Sequence, residues 1–351
     1  MKKYLSKLKR SKHGKSADDS VQDTSAPRIT NETVAEHREE VLSSARKYIY
    51  PLQHSKHKIV LITTSIFIAA VVAFVGYTTI SLYKLKSNSS FLYGITKVVP
   101  FPVAKAGDSF VSYENYLFEL RHYIHYYKNQ QKLDFDSESG RQQLAEFKKR
   151  ALDKVINDAY VKQLAKQYKV TVSDQEVQAE IKTVRDQNRL GGSDKVFEDV
   201  LKEYWGWTVD DFQRSLQQQL LAQKLLPVLD PAVVTKAKAA KAEIESGADF
   251  AAVAKKYSDD ATTKDSGGEL AIPIDRSNRE IAAQTTAALF TLKAGETSDV
   301  INAGYSLEIV KNLEVQGDKI RTAHIVFNFK DINSYLNDYR DKNKASLYIK
   351  L

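Results

Sequence analysis

Glu119, His122 and His125 stand three residues apart, and a carboxylate with two imidazoles is a set that divalent metals use. Spacing of three turns each side chain onto a different bearing around a helix, whereas zinc needs ligands that converge. The trio therefore reads as one flank of an aromatic-rich surface helix, and no metal is assigned to it. His324 is the second candidate. It sits in IRTAHIVFNF, residues 320–329, a run that predicts a strand carrying an imidazole. This strand stands close to the last residue, Leu351, which leaves its pairing partner to be found. Cysteine is absent, which excludes disulfides and thiol chemistry. HGKS at 13–16 has the end of a phosphate-binding loop without its upstream glycine or a preceding strand, and is set aside.

The elements that must carry such groups fit within 351 residues of 42% hydrophobic content, room for two globular domains. The formal net charge of +8 is unevenly spread: residues 1–58 hold 13 Lys and Arg against 7 Asp and Glu, and the rest holds 39 against 37. The basicity belongs to the N-terminal tail, which leaves no footprint for nucleic acid. Residues 59–83, IVLITTSIFIAAVVAFVGYTTISLY, run 25 positions without a charge, past the ~20 that a bilayer requires. The run is too long and too far along the chain for a cleaved signal peptide, and no small-residue cleavage site follows it. A buried core helix is the competing reading. With Lys56 and Lys58 beside the span, the positive-inside rule predicts a single-pass protein of the cell membrane. Residues 1–58 would be cytoplasmic, and everything after 84 extracytoplasmic. Residues 11–33 are polar and read as disordered. In 39–52, Val41, Leu42, Ala45, Tyr48, Ile49 and Leu52 fall at helical spacing beside Arg46 and Lys47, as in a short helix lying on the inner leaflet.

Residues 84–102 read as a linker, with Ser-Asn-Ser-Ser at 87–90 and prolines at 100 and 102. Gly107-Asp108 predicts a hairpin turn. Helical patterns follow at 113–128 and 142–168. Capping boxes at Ser173–Glu176 and Thr208–Asp211 open two more, with Gly191-Gly192 ending the first of these and a further helix around Phe197 and Leu201 between them. Pro227 and Pro231 should break the last.

From 231 on, a helix over 233–246 is expected. Asp249 can cap a helix carrying Phe250, Val253 and Tyr257, and 258–264 is a polar loop. Gly267-Gly268 permits a tight backbone before a strand at 269–274. Gly295 suits a helix end, and Gly304 precedes a strand with Tyr305, Leu307 and Ile309 on one side. Ile332, Tyr335, Leu336 and Tyr339 predict a final helix capping the sheet edge.

VTVSDQEVQAEI, the loop around Gly191 and YWGWTVDDFQRSLQQQLLAQKLL resemble the N-terminal domain of SurA- and PrsA-type chaperones over about 103–230. That resemblance implies a helical cradle holding unfolded or extended polypeptide clients through apolar and aromatic surface. GADFAAVAKKYSDDATTKDSGGELAIPI at 247–274 and AALFTLKAGETSDVINAGYSLEIVKN at 287–312 resemble the parvulin family of peptidyl-prolyl isomerases, of PpiC type. It implies an antiparallel sheet wrapped by helices and an apolar pocket for a proline ring. Together these give an α+β chain: transmembrane helix, helical SurA-like domain, and a parvulin-like domain over 231–351. The parvulin family's first strand, Ala/Ser-His-Ile-Leu, is missing before the helix at 233, and its counterpart stands at 320–329. GYSLEIVKNLEV, the turn 316–319 and IRTAHIVFNF read as one hairpin, which makes the domain a circular permutation. A degenerate second copy is the alternative, but the stretch 320–351 is too short to bury a core of its own.

By the same resemblance, Asp260 and His324 take the catalytic positions, and Ile281 and Phe290 fall where the proline pocket is apolar. Thr285 stands where the family has a pocket phenylalanine. Ser306 stands for its last-strand histidine, unless a bulge brings Glu308 there. No arginine pair follows His324, so no phosphate-directed preference is implied, and the chemistry calls for no cofactor. Each residue also has a plain structural reading: a loop aspartate, a packed strand histidine, core side chains. Two functions remain open: an extracytoplasmic foldase with isomerase activity, and an inactive holdase or peptide-binding scaffold.

Overall fold

The computed structural model describes residues 29–49, 52–186 and 193–351, and it divides into two units between Val75 and Gly76. The polar lead at 11–28 and the Gly191-Gly192 helix end lie outside the described residues. In the first unit, α1 (Asn31–Ile49) starts well ahead of the expected 39, because Thr30 and Thr33 exchange side-chain and backbone hydrogen bonds across its first turn. Helix α2 (Leu52–Thr79) follows, and Lys58–Lys84 is long and apolar enough to cross a membrane.

The second unit begins within this apolar run. Ile80–Lys84 is a π-helical turn, and Leu82 is fully buried in protein. Its carbonyl accepts from the Tyr113 hydroxyl at 2.6 Å, while Tyr83 donates to the Pro102 carbonyl at 2.6 Å. The expected span of 59–83 lies within Lys58–Lys84, and its last turn also packs into a folded core. The expected linker is corrected. It contains α3 (Ser90–Val98), capped by Ser89 and pinned by buried Leu92 and Thr96.

The first core lies among β1 (Pro102–Ala106), β2 (Ser109–Ser112), α4 (Tyr113–Asn129), α5 (Glu138–Tyr168) and α8 (Val209–Leu229). Val177 and Ile181 of α6 (Asp174–Asp186) meet Phe197 of α7 (Asp194–Val200), and Phe212 of α8 packs against them in a satellite cluster. Both predicted capping boxes form, at Ser173–Glu176 and Thr208–Asp211. Pro227 does not stop α8. Leu225 and Leu226, both 0% exposed, anchor the helix end in two different cores. Burying two leucines is worth about 3–6 kcal/mol, enough to offset the ~3 kcal/mol cost of an interior proline.

The second half opens on α9 (Pro231–Glu245) and α10 (Phe250–Tyr257), capped by Asp230 and Asp249. They cover one face of a sheet ordered β3 (Ile301–Asn302), β4 (Ser306–Gln316), β5 (Lys319–Asn328). Helix α11 (Ala283–Leu289) packs against β4. The expected strand at 269–274 makes only isolated bridges to β5, at Glu269 and Ile274. Pro273 has no N–H to continue a ladder. Tyr305 lies outside β4 and is 54% exposed.

The chain then returns to the first core. Helix α12 (Ile332–Lys342) was expected to cap the sheet edge, and Ile332 and Tyr335 do pack toward it. Leu336, however, is fully buried in the first core, and Tyr160 donates to the Asn343 carbonyl at 2.5 Å. β6 (Ser346–Leu347) pairs with β1. Among the described residues the fold is mostly helical, with two small antiparallel sheets.

Candidate active site

β5 is an interior strand. β4 pairs along one edge, with Val310 opposite His324 and Glu308 opposite Val326. The other edge is stitched to two loops. Ile274 and Ile320 exchange N–H···O bonds of 2.8 Å, and His324 N–H donates to the Gly268 carbonyl at 2.8 Å. Gly268 has φ +82°, and a Cβ there would collide with the His324 carbonyl, so only glycine lets this loop lie against the strand. Further along, Val326 N–H donates to Ser258 Oγ at 3.2 Å, Asp259 N–H to the Val326 carbonyl at 2.7 Å, and Asn328 N–H to Asp259 Oδ2 at 3.0 Å. These bonds fix the turn that carries Asp260.

His324 Nε2 lies 2.9 Å from Asp260 Oδ2, and Thr263 Oγ1 touches both, at 2.5 Å from the carboxylate and 3.2 Å from the imidazole. Asp260 Oδ1 accepts from the Thr262 amide at 3.0 Å and its hydroxyl at 2.7 Å. Burial alone would raise this carboxyl. The Thr263 and Thr262 hydroxyls, the Thr262 amide and His324 outweigh burial and hold it well below the usual carboxylate range. An ionised carboxylate only accepts, so His324 Nε2 carries the proton and donates it. Four donors fill the roughly four acceptor sites of a carboxylate, which makes Asp260 an orienting group. His324 Nδ1 is buried without a hydrogen-bond partner.

Ile281 is 6% exposed and clusters with Ile274, Leu289, Ile320 and Val310, the cross-strand neighbour of His324. Phe290 packs against this cluster from outside, with the Arg276 guanidinium 4.5 Å from its ring centre. Thr285 is fully buried, and its hydroxyl has no partner. Ser306 pairs with Asn328, four residues and roughly 13 Å along the strand from the His324 pair. Glu308 is nearer, at two residues and roughly 7 Å, on the same sheet face with no bulge between 306 and 312. Its Oε1 accepts from Ser306 Oγ at 3.1 Å, and its Oε2 is buried and unpaired.

Thr263 is the member of this hydrogen-bonded group that sequence reasoning missed. Its signal was the Asp-Ala-Thr-Thr run, in which hydroxyls two and three residues on can bond back to the aspartate. Glu119, His122 and His125 do not converge. Glu119 pairs with Lys154 at 3.2 Å, His122 stacks on Trp207 at 4.6 Å between ring centres, and His125 Nε2 is 2.9 Å from the Glu203 carbonyl.

Residues 52–226 match the SurA-like N-terminal domain and residues 230–314 the PPIC-type PPIase domain. The chain therefore joins a SurA-like domain to a PPIC-type rotamase domain. Its relatives are PrsA foldases. Foldase protein PrsA of Caldanaerobacter subterraneus is 28% identical over 192 residues, covering 49% of this chain and 59% of the relative. Foldase protein PrsA 1 of Lactiplantibacillus plantarum is 31% identical over 124 residues, covering 35% and 38%. This chain thus spans less than two thirds of the curated relatives it matches. The crystal structure of foldase protein PrsA from Streptococcus pneumoniae aligns at 22% identity over 58% of this chain and 79% of that one, with a TM-score of 0.22.

Proposed function

We propose that this chain is a membrane-anchored, extracytoplasmic folding factor that holds unfolded polypeptides and isomerises their X–Pro bonds. The observation that carries the reading is the His324–Asp260 hydrogen bond inside a PPIC-type domain joined to a SurA-like domain. Twisting a prolyl amide costs ~18–20 kcal/mol of resonance and needs no nucleophile. A site lowers the barrier by preferring the twisted state through fixed dipoles and excluded water. Asp260 and Thr263 would fix the His324 ring, while Ile281 and its apolar cluster would seat the proline ring. We read the domain as a permuted parvulin fold with β5 as its first strand. The family match that opens at 230, at the cap of α9, and closes at 314, before β5, supports that reading.

The buried, unpartnered Thr285 hydroxyl favours a second reading, a holdase without turnover, because a proline ring gains little against an orphaned polar atom. A proline-isomerisation assay on the full chain in nanodiscs separates the two. Isomerase activity lost in Asp260→Ala/His324→Ala supports the first reading, and none above background in the unaltered chain supports the second. Suppression of client aggregation should persist in that double variant, since the helical half has its own core.

A further inference from the structure

A cleft of about 550 Å³ lies in the helical half, between β2, α4, α5 and α8. Phe118, Val155 and Leu221 give it apolar walls, and Phe110, 67% exposed, adds an aromatic ring open to solvent. Four cationic side chains but two carboxylates line it. Two of the cations are already matched. Lys154 holds Asp158 at 2.8 Å and Glu119 at 3.2 Å, and Arg214 donates to both oxygens of Glu114 at 2.8 Å. Lys162 and Lys166, one turn apart on α5, remain. Neither has a carboxylate within 4.0 Å among the described residues.

We propose that this cleft selects acidic, apolar segments of polypeptide, with a carboxylate of the bound chain held between Lys162 and Lys166 and its apolar neighbours against Phe110, Phe118 and Val155. The proposal rests on the reading of the chain as a binder of unfolded polypeptides and adds what it selects. Lys162 and Lys166 are both exposed, so an incoming carboxylate can reach either ammonium. The excess of cations is local: beyond position 58 the chain holds 39 basic against 37 acidic side chains, so general basicity does not account for it.

The test uses the full chain in nanodiscs of zwitterionic lipid and three labelled peptides of identical apolar content, carrying two Glu, two Gln or two Lys. Fluorescence anisotropy should rank them Glu, Gln, Lys, with the Glu peptide about tenfold tighter than the Gln peptide if each ammonium contributes about threefold. Salt should erase most of that gap. The charge-reversed variant Lys162→Glu/Lys166→Glu should invert the ranking, and Phe110→Ser, at an exposed position, should weaken all three alike. Equal binding of Glu and Gln peptides by the unaltered chain, or an unchanged ranking in the charge-reversed variant, overturns the acidic preference while leaving the holding function in place. No binding of any peptide overturns both.

Discussion

His324 Nε2 and Asp260 Oδ2 stand 2.9 Å apart across 64 residues of sequence, joined by a strand and a loop that meet only in the folded state. The contact is maintained by Gly268, which lets one loop touch the His324 backbone, and by Ser258 and Asp259, which bond the next turn to Val326 and Asn328.

Asp260→Asn should therefore cost both stability and isomerisation. The carboxyl pKa is depressed by folding, so its contribution is complete above the ordinary value of 3.8 and is lost as pH falls below it. Urea unfolding should show the variant about 1–3 kcal/mol less stable at pH 7, with the gap narrowing below 3.8. A gap that stays constant to the lowest pH would mean that the carboxylate charge contributes nothing. Thr263→Val should lower kcat by a smaller factor, since it loosens the pair without removing either member.

His122 supplies a pH dependence of the same sense in the other half. Burial pulls its imidazole down to about 4, against a hydrogen bond to the Trp205 backbone that raises it. Above 6.5 it is neutral both folded and unfolded; between 6.5 and about 4 only the unfolded chain takes the proton. Stability should fall by about 1–3 kcal/mol across that window. His122→Phe, which keeps a ring against Trp207, should flatten the slope. An identical slope in both proteins would show that His122 is not its source.

Much of the fold was legible because local chemistry and final structure agree. Ser173 with Glu176, and Thr208 with Asp211, cap their helices as the sequence spacing requires. Other features depend on partners distant in sequence. Pro227 stays helical because Leu225 and Leu226 are gripped by two cores. α3 was hidden by the Ser and Pro flanking it, and β6, two residues long, has no periodicity to read. In the site, Asp260 and His324 came from motif order. The position of Glu308 relative to Ser306 needed the strand register, because one residue of slip turns a side chain to the other face.

The proposed topology rests on the apolar span at Lys58–Lys84 and the basic residues before it. Protease added to intact cells should remove the domains after residue 84 and spare residues 1–58. Protection of the later domains would overturn the extracytoplasmic placement.

The C-terminal segment from Lys319 to Leu351 serves both halves, and two truncations of the full chain separate its roles. β5 buries Ile320, Ala323, Ile325 and Phe327, each at 4% exposure or less, and carries His324. At about 1.5–3 kcal/mol for each large apolar side chain, their loss approaches the whole stability of a typical domain. A chain ending at 318 should therefore lose the cooperative unfolding of the 231–318 region and all isomerase activity. A chain ending at 330 keeps β5 but loses Leu336 and Ile349 from the first core, together with the Tyr160 bond to Asn343. It should unfold several kcal/mol more easily in its helical half while His324 and Asp260 stay paired. Calorimetry with a histidine NMR probe distinguishes these outcomes. If the shorter chain kept an unchanged rotamase transition, β5 would be an accessory strand and the permutation would fail.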